Sequence, residues 1–155
     1  MVTPKFRHRC PILLMLVMFF AANIVVSCTH SQQSAQIISD AERIADEYPD
    51  SALNILESID PSDLKADSLK AKYHYFKAYG HMKRNHSMIG DSLISFAHNY
   101  YRGKDIVKDI RSGTALAFYK FWIGDTPGSI AMLDSLTRLP GVPDSLMVEA
   151  LRIRV

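Results

Sequence analysis

Cysteine is nearly missing from this chain: two occur in 155 residues, Cys10 and Cys28, and none follows. Residues 29–155 therefore have no disulfide framework and no thiolate metal site. Acid is missing from residues 1–27, where Lys5, Arg7 and Arg9 stand alone. Setting those three aside leaves 15 basic against 16 acidic residues, so the formal charge of +2 is a local feature. A near-neutral remainder has no electrostatic reason to seek nucleic acid. Strand-like alternation and a βαβ rhythm are missing too. What is present is apolar: 48% of residues are hydrophobic against 22% charged, enough to bury a core and to exclude wholesale disorder.

The N-terminus reads as an address. Lys5-Phe6-Arg7-His8-Arg9 precedes an apolar run from Ile12 to Val26 that only Asn23 interrupts, followed by Ser27-Cys28. A basic segment, an apolar segment and a small residue describe a secretory signal peptide over 1–27. The run is shorter than the roughly 20 apolar residues that a spanning helix needs. An uncleaved anchor with its basic end in the cytoplasm is the rival. Val25-Val26-Ser27-Cys28 resembles the lipobox of bacterial lipoproteins, which implies a diacylated Cys28 as the mature N-terminus. Two acyl chains hold stably where one does not, at about 0.8 kcal/mol per buried CH₂. Residues 28–36 are polar and read as a tether, with no acid after the cysteine, an arrangement that favours the periplasmic face.

From residue 37 the apolar spacing is helical. Ile37, Ala41, Ile44, Ala45 and Tyr48 share a face that Pro49 ends. Ala52, Leu56 and Ile59 follow, closed by Pro61. Leu69, Tyr73, Phe76 and Gly80 line a third helix. Leu93, Phe96, Ala97, Tyr100 and Tyr101 line a fourth, closed by Gly103. Ala115, Phe118, Tyr119 and Trp122 make a fifth, Ser129, Met132, Leu133 and Leu136 a sixth. A seventh starts after Pro143. The fold class is all-α, and the short breaks predict antiparallel hairpins. Pro49-Asp50-Ser51, Gly90-Asp91-Ser92 and Thr126-Pro127-Gly128 stand at expected helix starts, where Asp, Ser and Thr can cap free N–H groups. Their spacings, 41 and 37 residues, are near the roughly 34 of tetratricopeptide arrays.

Leu116, Ala117, Gly124-Asp125, Ser129, Leu133 and Leu136 resemble the large and small positions of one tetratricopeptide repeat over 110–140, with the usual aromatic shifted to Tyr119. The preceding pair, 64–101, departs from that pattern with a longer basic turn through Lys83-Arg84-Asn85. Pro49-Asp50-Ser51-Ala52-Leu53 through Ile59, and Asp91-Ser92-Leu93-Ile94 through Tyr101, resemble the amino-terminal part of tetratricopeptide-type lipoproteins of Bacteroidetes-like bacteria. The resemblance implies a stacked-hairpin solenoid over 37–155 that binds protein and catalyses nothing.

Gly90-Asp91-Ser92-Leu93 spells the nucleophile motif of GDSL-type esterases, but the segment before it is not strand-like and no Asp-x-x-His follows. His74, His81, His86 and His98 lack the i, i+4 spacing of a zinc-binding helix, so neither metal nor cofactor is expected. Lys65, Lys70, Lys72, Lys77, Lys83 and Arg84 read as a solvated face. The aromatics are the richest feature. Most belong to the core, yet Tyr75, Phe121 and one of Tyr100 and Tyr101 are expected off the main stripes. Tyr75, Tyr101 and Phe121 are thus the candidate partner-binding residues, and Cys28 the lipidation site. The rival to an anchored scaffold is the periplasmic sensor end of a longer regulator. It is prompted by an unpaired seventh helix running into Leu151-Arg152-Ile153-Arg154-Val155 without a cap.

Overall fold

A computed structural model describes residues 32–152, and every regular element among them is helical. The expected signal peptide, residues 28–31 of the tether, and Cys28 itself lie outside the described residues. The first helix, α1, spans 32–44. Then come α2 (Pro49–Glu57), a 3₁₀ turn (Pro61–Asp63), α3 (Asp67–Lys83), α4 (Ile94–Tyr101), α5 (Ile106–Trp122), α6 (Thr126–Thr137) and α7 (Asp144–Arg152).

The tether reading fails for residues 32–36, which form the first turns of α1. Ser34, Ile38, Ala41 and Ala45 are buried at helical spacing. A small polar residue can occupy a buried helical position without breaking the stripe, and apolarity alone therefore set the expected start too late. At its other end α1 stops short of Tyr48, which is 60% exposed. The residue before a proline is pushed out of helical backbone, and Tyr48 indeed has φ −129° and ψ 64°. Pro49 then occupies the first turn of α2, where its missing N–H costs nothing.

From α2 onward each helix packs on its sequence neighbour, and α3 also touches α5, as α5 touches α7. Helix α3 therefore lies between α2, α4 and α5, and this explains its sequence. Tyr73, Phe76 and Gly80 form the expected stripe, but Ala71, Tyr75, Ala78, Tyr79 and Met82 are buried as well. A helix flanked on three sides is apolar over most of its circumference. The main core joins these residues to Ile38, Leu56, Leu64, Met88, Ile94 and Ala115. A second, smaller cluster joins Ile110 of α5 to Leu146 and Ala150 of α7.

Two glycines mark close helix contacts. A β-carbon on Gly80 would sit 2.8 Å from Cγ of Leu53 on α2, and one on Gly113 would sit 2.7 Å from Cδ2 of Leu136 on α6. Neither position needs unusual backbone; both need the absence of a side chain. Helix α5 also begins nine residues before Ala115, at Ile106. Asp105 caps it, accepting 3.1 Å hydrogen bonds from the amides of Val107 and Lys108.

Of the three expected starts, one caps as anticipated in kind: the Asp125 carboxylate accepts from the Gly128 amide ahead of α6. The Asp91 side chain does something else. It is buried, and its Oδ2 lies 2.6 Å from Nδ1 of His81 on α3, clamping the loop to the helix before it. Leu93, the residue at the start of α4, has no side-chain cap and is half exposed. The intervening turn is tightened by Asn85, whose φ of +52° is a left-handed conformation that asparagine tolerates.

Candidate functional site

The expected partner-binding aromatics separate. Tyr75 is 1% exposed and Tyr101 7%, whereas Phe121 is 48% exposed. Tyr75 and Tyr101 are corrected accordingly: they belong to the interior. Their rings meet edge to face at 5.8 Å between centroids, and Tyr75 also contacts Phe76 and Tyr79. The cause is the second buried face of α3. Residues off its first stripe meet α4 and α5 rather than water. Burial, with the nearby Glu42 carboxylate, raises the Tyr101 phenol above its ordinary range. Phe121 stands near the end of α5, and Ile123 beyond it and Ile130 on α6 are also about half exposed.

One face is stitched by charge across three helices. Glu42 of α1 pairs with Lys72 of α3 and, at 3.4 Å, with Lys108 of α5. Asp46, just past α1, accepts from the Tyr79 hydroxyl at 2.6 Å and from Arg111 of α5 at 3.3 Å. Burial pushes the Asp46 carboxyl up, but Tyr79, Arg111 and Lys83 together hold it below its ordinary value. Arg84 pairs with Asp50 and Lys70 with Asp67. The basic stretch from 65 to 84 is thus partly committed to neighbouring helices.

The most unusual group of side chains is one that sequence reasoning passed over. His98 of α4 and Asp109 and Ser112 of α5 are all more than nine-tenths buried. The Ser112 hydroxyl lies 3.2 Å from the Asp109 carbonyl and 3.2 Å from Nδ1 of His98. Asp109 Oδ2 accepts from the Gly103 amide at 2.8 Å, and Oδ1 lies 3.6 Å from Nδ1 of His98. With the serine proton on the Asp109 carbonyl, the serine oxygen accepts from Nδ1–H, a tautomer that the nearby Asp109 carboxylate also favours. Burial lowers the His98 basicity, and Arg102 lowers it further, against the opposing pull of Asp109. The signal in the sequence was His98 and Asp109 eleven residues apart across a Gly103 turn, a spacing that matches no standard ligand motif.

A cavity of about 230 Å³ opens beside this group, between α4, α5 and α6. Polar side chains, Asp109 and Ser135 among them, line it together with Leu116, Met132 and Leu136. Elsewhere, the Ser92 hydroxyl is exposed and engages no histidine among the described residues. Nor do the described residues bring three or more His, Cys, Asp or Glu side chains together in a metal-holding group. No helix among them is long and apolar enough to cross a membrane. Comparison of the chain with protein-family models, curated proteins and solved structures finds no match.

Proposed function

We propose that the chain is a lipoprotein, anchored through Cys28 and facing the periplasm, whose tetratricopeptide-like helical array binds another protein and performs no catalysis. The observation that carries this reading is the contact pattern of the helices. From α2 onward each packs on its neighbour, and α3, α5 and α7 also pack on one another in order. Such an inner row is what stacked hairpins produce, and the broad faces they leave are suited to holding a polypeptide. Phe121, Ile123 and Ile130 give that surface its exposed apolar side chains, of the kind that dominate binding energy when a partner covers them.

The test has two arms. Intact mass of the protein from native membranes should give a chain starting at Cys28 with acyl groups added; an unmodified chain keeping residues 1–27 would remove the lipid anchor. A photo-crosslinking residue placed at Phe121 should yield a discrete adduct in those membranes. The same residue at Ile89, more exposed still but in the α3–α4 loop, should not. Equal labelling from both positions would remove the proposed surface.

A further inference from the structure

We infer that His81 and His86 form a site for a borderline-soft divalent cation such as Zn²⁺ at the end of α3, with Asp91 as the carboxylate behind His81. Three observations carry it. The first is the backbone. The Asn85 amide donates to the Met82 carbonyl at 3.0 Å, and the His86 amide to the His81 carbonyl at 2.9 Å. With Asn85 at φ +52°, these are the paired bonds of a Schellman turn, which brings the residue after the turn against the last turn of the helix. An apolar pair commonly meets there; here two histidines do. Five residues apart, they miss the i, i+4 spacing of a regular helix, and the turn supplies the proximity that the spacing does not. Their ring centroids stand 6.3 Å apart. With Zn–N of about 2.0–2.1 Å and roughly an ångström from nitrogen to ring centre, two rings on one ion stand up to about 6 Å apart. The exposed His86 ring has only to turn about its own side-chain bonds to close the angle.

The second is Asp91. Its Oδ2 lies 2.6 Å from Nδ1 of His81 and accepts the proton there, so Nε2 keeps the lone pair that a cation takes. A carboxylate behind an imidazole orients the ring and makes it a stronger ligand. Asp91 is itself buried, and the fully buried Met88 pins the same loop, so this backing is part of the fold. The third is charge. Helix α3 ends here, and the negative end of its dipole favours a cation. The two basic side chains of the turn are engaged elsewhere: Arg84 pairs with Asp50 at 2.8 Å, and Lys83 stands over the Tyr79 ring. Two imidazoles select Zn²⁺ and its neighbours over Mg²⁺ or Ca²⁺, which take oxygen ligands. Water completes the coordination shell.

Zn²⁺ titrated into the full chain in detergent, with Mg²⁺ in parallel, tests this by calorimetry and by NMR of the histidine ring nitrogens. Zn²⁺ should bind saturably and shift the rings of both His81 and His86, and Mg²⁺ should do neither. His86→Ala, at an exposed position that leaves the core alone, should weaken Zn²⁺ at least about tenfold. Asp91→Asn keeps an acceptor for Nδ1–H without its charge and should weaken Zn²⁺ about tenfold. Zn²⁺ that fails to saturate, or that saturates without moving both rings, would overturn the proposal. So would equal affinity for Mg²⁺, or Zn²⁺ binding indifferent to His86→Ala.

Discussion

The Tyr79 hydroxyl donates a 2.6 Å hydrogen bond to Asp46, joining the middle of α3 to the turn beyond α1. Tyr79 is 1% exposed, so its ring is fixed by the core, with Lys83 and Arg111 each 5.5 Å from its centroid, while its oxygen reaches Asp46. The Asp46 side chain is 57% exposed, and solvent screens much of what it gains there. Tyr79→Phe should cost about 1 kcal/mol at pH 7, read as a lower urea midpoint. Because the folded carboxyl is held below its unfolded value of about 4, its stabilisation is complete above that pH and is lost as pH falls through the folded value. The difference between wild type and Tyr79→Phe should thus shrink at pH 3.

Truncating the aromatics should separate interior from surface. Tyr75→Ala and Tyr101→Ala each empty a buried site between packed helices and should cost about 3–5 kcal/mol. Phe121→Ala should stay within about 0.5 kcal/mol. Chemical denaturation of the three variants checks this, and a destabilised Phe121→Ala would put that ring inside an interface.

Gly80→Ala should destabilise although alanine is the better helix former. The added methyl would meet Cγ of Leu53, a branch point that cannot swing aside as a terminal methyl can. Overpacking of about 1–3 kcal/mol opposes a propensity gain of about 1 kcal/mol, so thermal unfolding should move down by several degrees. Leu53→Ala in the same background should recover part of the loss, because it removes the atom in the way.

His98 should make stability fall in mild acid. Its folded basicity lies below the unfolded value near 6.5, so the neutral form is favoured in the native protein. Its contribution is complete above that pH and declines as pH falls from about 6.5 toward the folded value, where the buried ring must take up a proton. His74 is shifted in the same direction, chiefly by burial, and adds to the slope. His98→Asn keeps a donor near the Nδ1 position. It should flatten the pH 5–7 limb of the stability profile and leave the part due to His74.

The helices were legible because prolines and glycines cut the sequence into pieces with helical apolar spacing. What was not legible follows from position in the array. Apolar spacing marks a helix that buries one face; it understated α3, which buries several, and so read Tyr75 as surface. It missed the first turns of α1 and the first half of α5, where Ser34, Ser112, Gly113 and Thr114 are buried without being apolar. Asp91 looked like a cap because caps are local, but its partner, His81, lies ten residues back across a turn. The His98 cavity was invisible for a related reason. Its lining comes from three helices, so no one stretch of sequence holds it.

Gly113 has a consequence beyond helix packing. Its bare α-carbon lets Leu136 of α6 lie close against α5, and a methyl added there would also lie 3.1 Å from Cε1 of His98. Leu136 and His98 face each other across the cavity that both line. One missing side chain therefore sets two quantities at once, the spacing of a helix pair and the depth of the pocket beside it. They behave as a single gauge. A side chain added at Gly113 would therefore press on Leu136 and on His98 together.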